Sequence, residues 1–387
     1  MNHSGTGDSK RGMAHGGGRS SAQSPVRYPG GACPSSANPD VIRVRKKHKS
    51  HKARKRALIA LAAVLAVLAL AGTALGLYVH SLDAAMAPKD GDDPWQLKSA
   101  LAGGGETQEK DQPFYMLVLG SDAREGDVTS RSDVMILLRV DPAGGKVTMV
   151  SIPRDTKVEI EGHGTQKINA AYAFGGAAGA VSAVSEMAGV PISHYAEIHF
   201  SELEQLVDDL GGVWVDVPVS NDQTGASNTG QRIDAGYQLL SGEQALAFAR
   251  ERYGYERGDF QRADNQKLVA QAIVKQVLDQ QPAQLPGTVS RLAQCVTTDF
   301  SVADIVSLAL SMQQTGVTFY SATVPSTTAT EDGVSYTITL EDEWRAMMAR
   351  FDVGGDPNGT GEAPAQAQQA AASSASNQNA NQQGEAK

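Results

Sequence analysis

A run of 23 residues without a charged side chain, 57–79, constrains this chain more than any other feature. That length is enough for one helix to cross a hydrocarbon layer of roughly 30 Å. A cleaved secretory leader is the competing interpretation, since Ala85-Met86-Ala87 fits a small-residue cleavage site, but the apolar run is too long for that class. The sequence therefore predicts a transmembrane helix over 57–79.

The charge distribution predicts the orientation of that helix. Residues 1–56 carry 13 Lys/Arg and 2 Asp/Glu, whereas residues 81–387 carry a net charge of −20. Basic residues beside a span stay on the cytoplasmic side. We therefore expect a single-pass protein of the cell membrane with a cytoplasmic N-terminus and an extracellular body. An acidic body argues against a nucleic-acid partner, and a basic run beside a span suits anionic lipid headgroups.

Composition divides the rest of the chain. We predict a disordered basic cytoplasmic tail over 1–56, an extracellular connector over 80–112 and a disordered low-complexity tail over 354–387. Residues 113–353 remain as one folded extracellular domain, in which strand and helix patterns are mixed. That mixture predicts a three-layer α/β/α sandwich with a mixed central sheet. Predicted strands are 114–119, 134–140, 147–152, 195–200, 213–219, 317–324 and 334–340; predicted helices are 169–188, 202–210, 241–252 and 265–279.

Two aspartates stand where predicted strands begin or end. Asp122 follows the first strand within Gly120-Ser-Asp-Ala-Arg124, and Asp133 precedes the second. The two carboxylates could meet at the edge of the sheet, where oxygen ligands would suit Mg²⁺. The alternative is that each aspartate caps a turn.

Arginines are concentrated where the acidic domain would not need them for solubility. Arg154 leaves a strand beside Pro153, and a second set lies at Arg250, Arg252, Arg257, Arg262 and Lys267. Guanidinium groups match phosphate bidentately, so the pattern favours a phosphate or pyrophosphate ligand. The alternatives are a surface ion pair for Arg154 and helix C-terminal dipole partners for Arg250 and Arg252.

Other chemistries have little support. His163, His194 and His199 lack metal-ligand spacing, and His199 alternates along a predicted strand, which favours a packed side chain. Cys295 is predicted to be a small buried residue. The chain has no Gly-x-Ser-x-Gly elbow, no His-Glu-x-x-His motif and no Walker motif.

Six blocks in order resemble the LytR–CpsA–Psr family of Gram-positive envelope proteins. They are GSDAREGDVTSRSD, SIPRD, KINAAYAFGG, VDDLGGVWVDVP, LSGEQALAFARER and DFQR. The resemblance implies a membrane-anchored phosphotransferase with an α/β/α fold. It would move an envelope glycopolymer from a polyprenyl-pyrophosphate carrier to peptidoglycan, at the 6-hydroxyl of N-acetylmuramic acid, with a divalent cation such as Mg²⁺ or Mn²⁺.

The resemblance also assigns residues. Asp122 and Asp133 match the metal-associated aspartates, with Asp122 also a candidate to assist the attacking hydroxyl. The matching substrate-binding positions are Arg124, Arg154, Lys167, Asn169, Arg250, Arg252 and Arg262, of which Arg154, Arg250, Arg252 and Arg262 are expected to clamp the pyrophosphate. The family often has an Arg-Gln pair where this chain has Asn265-Gln266.

Three functions remain open at this point. The phosphotransferase comes first, and a hydrolase that releases the glycan with water as acceptor would use the same pocket. The third is a non-enzymatic envelope regulator or scaffold. The Ala-rich segment 171–188 could line a groove for the lipid chain or pack as ordinary core.

Overall fold

A computed structural model describes residues 51–88, 94–102, 111–121, 132–221, 230–252, 255 and 259–359. The elements of the first half are α1 His51–Met86, α2 Pro94–Ala100, β1 Phe114–Ser121, β2 Ser132–Asp141, β3 Lys146–Ser151, β4 Lys157–Ile160, β5 Gly164–Lys167, α3 Asn169–Ala188, β6 Ile192–His199 and α4 Phe200–Asp209. Those of the second half are β7 Val213–Val217, β8 Gly236–Leu240, α5 Gly242–Arg250, α6 Asp259–Leu278, α7 Leu285–Leu292, β9 Thr297–Thr298, α8 Val302–Thr315, β10 Thr318–Thr323, β11 Ser326–Glu331, β12 Val334–Thr339 and α9 Glu341–Asp352.

Within these residues, six strands form one mixed sheet in the order β10-β3-β2-β1-β6-β9. The pairs β1–β6 and β3–β10 are parallel, and the other neighbours are antiparallel. The hairpins β4–β5, β7–β8 and β11–β12 pair outside this sheet. Because β1 and β6 are parallel and adjacent, their C-terminal residues lie side by side.

Both faces of the central sheet are covered, because the strand residues are apolar in both directions. Leu117 and Leu137 face a core shared with Val184 of α3 and Phe351 of α9. Strand residues that face the other way, among them Ile136, Leu138 and Met149, pack against α6 and against Met312 of α8. Continuous apolar strands are what a sheet covered on both faces requires. The predicted three-layer α/β/α class with a mixed sheet is confirmed.

A second core lies beside the sheet. It joins α4, α5, α6 and the β7–β8 hairpin through Leu206, Val213, Phe248 and Val269. Cys295 is buried in the same cluster, as predicted for a small apolar residue. This cluster holds α5 in place, which matters because α5 ends in Arg250.

The apolar helix α1 runs from His51 to Met86, beyond the predicted 57–79 at both ends. It contains a stretch long and apolar enough to cross a membrane, and large side chains from Leu61 to Leu77 are exposed. Near its end, Leu82 and Met86 are buried against α7 and α8, and Asp83 Oδ1 accepts the backbone N–H of Val302 at 2.9 Å.

The segment 80–112, predicted as a polar connector, contains structure. Its first residues continue α1, and Leu97 of α2 and the adjacent Leu101 are buried in the main core. Single apolar residues spaced along a polar stretch form no periodic pattern, so the sequence alone gave no reason to expect this packing. Of the predicted tails, 1–56 and 354–387, residues 1–50 and 360–387 lie outside the described residues. Residues 51–56 form the start of α1, and 354–359 follow α9.

Helix α3 has the predicted bounds, 169–188, but it is broken at Gly175 and Gly176, whose backbone angles are not helical. Gly176 has φ 58° and ψ −149°, a conformation that suits glycine because it has no Cβ. Beyond the break, Ala177, Ala180 and Val184 are buried against the sheet.

Candidate active site

The ends of β1 and β2 are shaped by a β-bulge. Gly120 pairs with Val134 but Ser121 pairs with Ser132, so Asp133 is the extra residue on β2. A Cβ on Gly120 would lie 2.8 Å from Val134 Cβ, so only glycine allows this close approach. Bulges redirect side chains at the ends of strands, and this one places Asp133 beside the end of β1.

Arg154 contacts the bulge residue directly. It follows Pro153 at the end of β3, and its Nη1 donates to Asp133 Oδ1 at 2.6 Å. Asp155, the next residue, lies 3.8 Å from Arg154 Nε and accepts from Lys167 Nζ at 2.9 Å. The side chains of Arg154, Asp133 and Asp155 are each about one-third exposed, at 29%, 29% and 35%. The group can therefore be reached from solvent.

Asn169 lies at the start of α3 next to this group. Its backbone N–H donates to the carbonyl oxygen of Arg154 at 3.2 Å. The residue is buried, and its Oδ1 has no hydrogen-bond partner among the described residues. A buried polar atom without a partner is costly, which points to a ligand or water at this position.

Arg250 approaches the end of β1 from another side. It is the last residue of α5, is exposed, and its Cζ lies 5.5 Å from the centre of the Phe200 ring. Phe200 Cε1 in turn would be 3.7 Å from a Cβ at Gly120. The same ring therefore separates Arg250 from the bulge, and a cation over an aromatic face is stabilised there.

The N-terminus of α5 is fixed by the predicted capping box. Ser241 Oγ accepts the N–H of Gln244, and Gln244 Oε1 accepts the N–H of Ser241 at 3.1 Å. Two backbone donors that the helix leaves unsatisfied are thereby satisfied.

We expect Ser241→Ala to lower the free energy of unfolding by about 1 kcal/mol, because the cap is lost. Thermal unfolding of the full-length protein in detergent measures the change. The matched control is Ser290→Ala inside α7, whose hydroxyl donates only to the Pro286 carbonyl of its own helix. Equal losses in both variants would contradict the assignment of the cap.

The other end of α5 is held by α6. Asn265 is fully buried and its Nδ2 donates to the carbonyl oxygen of Phe248 at 3.0 Å, while Gln266 Nε2 donates to that of Ala249 at 3.2 Å. These carbonyls belong to the last turn of α5, which has no helical partners for them. Asn265 stands where the resemblance would lead us to expect arginine. It therefore has a structural role here, because it helps to fix the turn that ends in Arg250.

Arg252 lies in the segment that links α5 to α6, and Arg262 lies in the first turn of α6. Arg252 is partly buried, Arg262 is largely buried, and Glu251 between Arg250 and Arg252 is fully buried. Burial raises the pKa of Tyr255 in this link, and the nearby Glu251 carboxylate raises it further, against a lowering effect of the neighbouring Asn265 side chain. The phenol of Tyr255 is thus neutral at physiological pH.

Lys267 does not belong to this cation group. It is buried on α6, where its Nζ donates to the Ala322 carbonyl and to Thr323 Oγ1, both at 2.8 Å, and pairs with Asp264 at 3.0 Å. Its charge therefore ties α6 to β10, and the sequence argument that counted Lys267 among five ligand-facing cations was wrong on this residue. Arg257 lies outside the described residues.

A buried polar cluster lies where β1 and β6 end side by side, and sequence reasoning missed it. Ser121 Oγ is 2.9 Å from Glu197 Oε1 and 2.7 Å from His199 Nδ1, and Tyr172 of α3 donates to the same Glu197 oxygen. Glu197 is 3% exposed. A carboxylate between Ala196 and Ile198 of a predicted strand was the available signal. His199 is packed, as predicted, but against polar partners.

The structure therefore joins three of the predicted site residues by direct contact, Asp133, Arg154 and Asn169. Lys167 is bonded to Asp155, the residue next to Arg154. Arg250 reaches the same strand end across Phe200. Asp122 and Arg124 lie outside the described residues. His194 bonds to Asp299 at 2.6 Å, and Asp299 is far along the chain from these groups.

The donor set suits a cation only in part. Among the described residues, no group of three or more His, Cys, Asp or Glu side chains is arranged to hold a metal ion. Asp133 uses Oδ1 for Arg154, and its Oδ2 has no partner in the described part of the chain. One carboxylate oxygen at a solvent-accessible position fits Mg²⁺, which keeps several waters and takes substrate phosphate oxygens.

Comparison with known proteins gives consistent matches. The model of the LytR_cpsA_psr family matches residues 80–352. The polyisoprenyl-teichoic acid–peptidoglycan teichoic acid transferase TagU of Halalkalibacterium halodurans is 43% identical over 148 residues, which are 38% of this chain and 47% of that relative. TagU of Enterococcus faecalis is 33% identical over 236 residues, 60% of this chain and 76% of the relative. The match thus spans about half the length of the first relative.

A solved structure shows the same fold. The LytR-CPS2A-psr family protein YwtF (TagT), with bound octaprenyl pyrophosphate lipid, superposes with a TM-score of 0.53 at 25% sequence identity. The superposition covers 64% of this chain and 93% of that protein.

Proposed function

The chain belongs to the LytR–CpsA–Psr family, and on that premise we propose that it transfers a phosphoglycopolymer from a polyprenyl-pyrophosphate carrier to peptidoglycan. The observation that carries the proposal is the convergence of Arg154 and Arg250 on the end of β1 in a domain of strongly negative charge. Relatives named as teichoic acid transferases and a relative with bound octaprenyl pyrophosphate support it.

The arginines would act by binding and by charge stabilisation. Transfer of a phosphoryl group spreads negative charge over its equatorial and leaving oxygens. Arg154, Arg250, Arg252 and Arg262 are proposed to clamp the pyrophosphate, with Lys167 and Arg124 as further substrate contacts. Asn169, buried next to Arg154, would offer its amide to the same group. The pyrophosphate supplies the energy, so no nucleotide is required.

We propose Asp133 and Asp122 as ligands of Mg²⁺ or Mn²⁺. A bound divalent cation would neutralise charge on the phosphate oxygens. The free Oδ2 of Asp133 would be the protein ligand, while Arg154 on Oδ1 orients that carboxylate.

Asp133→Asn is expected to weaken Mn²⁺ binding, because a neutral amide is a poorer ligand for a hard cation. Electron paramagnetic resonance of Mn²⁺ titrated into the full-length protein measures free and bound metal without an activity assay. Asp342→Asn, at an exposed carboxylate of α9, is the matched control. Unchanged Mn²⁺ affinity in Asp133→Asn would remove Asp133 from the proposed ligands.

The site would lie outside the cell membrane. Helix α1 is proposed as the single membrane span with a cytoplasmic N-terminus, from the basic residues that precede it. The folded domain, 113–353, would then be the extracellular catalytic domain. The polyprenyl chain is proposed to lie on the α3 side of the sheet, where small residues such as Ala180 line the core.

The test uses the full-length protein in detergent micelles with Mg²⁺, a polyprenyl-pyrophosphate-linked saccharide and peptidoglycan oligomers. Mass spectrometry is expected to detect a saccharide–peptidoglycan phosphodiester. Free saccharide phosphate without the adduct would instead identify a hydrolase. An intact carrier, with several saccharides tried, would contradict both enzymatic functions and favour a scaffold.

A further inference from the structure

The polar cluster beneath the strand ends consists of Ser121, Tyr172, Glu197 and His199. It is a hydrogen-bonded group of largely buried polar side chains that the proposed function leaves without a role. It joins three elements, β1, β6 and α3, so its geometry is fixed by the core rather than by a loop. Its members are not required to hold the phosphate, because none is a cation with a fixed charge.

The hydrogen bonds define which nitrogen of His199 carries the proton. An ionised carboxylate only accepts, so the hydroxyls of Ser121 and Tyr172 both donate to Glu197 Oε1. Ser121 has a single hydrogen and has used it on Glu197. Its oxygen must therefore accept from His199 Nδ1 over the 2.7 Å contact. Nδ1 of His199 therefore carries a hydrogen, and in the neutral imidazole the lone pair is then on Nε2.

That lone pair has no partner among the described residues. Nδ1 is directed to Ser121, which is fully buried, and Nε2 lies on the opposite side of the ring. The His199 side chain is 20% exposed, and no described residue accepts from or donates to Nε2. An imidazole with one nitrogen held by an oriented partner and the other free is the arrangement that a general base needs.

The cluster adjoins the candidate phosphate site. His199 pairs with Ser121 across β1–β6, and Ser121 pairs with Ser132 at the bulge that presents Asp133. Two strand spacings, roughly 10 Å, therefore separate the backbone of His199 from that of the bulge. Tyr172 is three residues beyond Asn169 on α3 and shares its helix face.

We infer that His199 is the general base for the transfer, with Glu197, Ser121 and Tyr172 as positioning residues; this inference rests on the proposed function. The acceptor hydroxyl loses its proton to Nε2 as its oxygen forms a bond to the saccharide-linked phosphorus. The bond from that phosphorus to the bridging oxygen breaks, and polyprenyl monophosphate leaves with the electron pair. The proton on Nε2 is then released to water.

The charged groups around His199 set its pH response. They are Glu197 on its own strand, Tyr172 on α3, reached through Glu197, and Arg250 of α5 on the neighbouring Phe200 ring. Because only the neutral imidazole accepts a proton, the rate should rise with pH as His199 loses its charge.

The test compares His199→Asn with the wild-type full-length protein in the transfer assay. The asparagine amide can still donate to Ser121, but it cannot take a proton. We expect kcat/KM to fall about 10²-fold, the lower end of general-base contributions, with binding of octaprenyl pyrophosphate unchanged. The rising limb of the pH profile should disappear, and added imidazole should restore activity to His199→Ala.

The matched control is His163→Asn, at an exposed histidine in the turn between β4 and β5, which should keep the wild-type pH profile. Wild-type-like transfer and an unaltered pH profile in His199→Asn would overturn the inference and leave the proposed function intact. Loss of lipid binding together with activity, without rescue of His199→Ala by imidazole, would mean a structural role and also overturn it. Absence of transfer by the wild-type protein would overturn both.

Discussion

Replacing Arg250 with alanine is expected to lower the transfer rate by about 10³-fold or more, the range found when an arginine is removed from phosphoryl transfer. Arg250 is exposed at the end of α5, with its guanidinium 5.5 Å above the Phe200 ring. An exposed cation at a helix end contributes little to stability. The expected loss is therefore in kcat, and the fold should persist.

The controls for Arg250 separate charge from geometry. Arg250→Lys keeps the charge but not the planar fork of donors, so it should restore only part of the rate. Arg345→Ala removes an exposed arginine of α9 that pairs with Asp342 and should leave the rate unchanged. Steady-state kinetics of the three variants, with thermal unfolding of each, is the measurement. Wild-type kinetics in Arg250→Ala would exclude Arg250 from the site.

Gly242→Ala is expected to cost about 2 kcal/mol of unfolding free energy, as overpacking in a dense core does. A Cβ at Gly242 would lie 2.2 Å from the carbonyl oxygen of Glu204 and 2.9 Å from Asp208 Cγ. Both belong to α4, and the backbone oxygen cannot move without α4. Because α4 begins at Phe200 and α5 ends at Arg250, the clash should also disturb the contact between those two residues.

A glycine-to-alanine substitution in α7 should change the stability of the protein in the opposite direction. Gly287 lies in α7, where the nearest atom to an added Cβ is Arg291 Nη1 at 4.0 Å. Alanine is favoured over glycine in helices by about 0.5–1 kcal/mol, so Gly287→Ala should stabilise the protein. A thermal melt should show a decrease of roughly 4–8 °C for Gly242→Ala and an increase for Gly287→Ala. A stable Gly242→Ala would contradict the close packing of α4 and α5.

Local sequence patterns predicted the elements whose signals are local. Strands β1 to β3 are apolar runs, α3 is an Ala-rich stretch, and the start of α5 follows from the Ser241–Gln244 capping box. The hairpin β4–β5 and helices α7 to α9 were missed, although α8 carries apolar residues at helical spacing, such as Ile305, Ala309 and Met312. Their burial depends on partners far along the chain, such as Trp344 against Met187.

The candidate site likewise contains residues that the sequence predicted and residues that only the fold brings together. Arg154 and Arg250 stand in recognisable blocks, and their contacts to Asp133 and Phe200 are in the structure. Glu197, His199 and Tyr172 come together only through the register of β1 and β6 and the packing of α3. No spacing along the chain predicts that these three side chains lie close together. Asn265 likewise acquires its role only because α6 packs against the end of α5.

In the proposed transfer, an acceptor hydroxyl, not water, attacks the saccharide-linked phosphorus. The direct measurement is the reaction of the full-length protein, Mg²⁺, carrier-linked saccharide and peptidoglycan oligomers in ¹⁸O-labelled water, with products weighed by mass spectrometry. If the acceptor hydroxyl attacks, we expect one polyprenyl monophosphate for each phosphodiester formed, with no ¹⁸O in either product. Saccharide phosphate carrying ¹⁸O, without the phosphodiester, would contradict it.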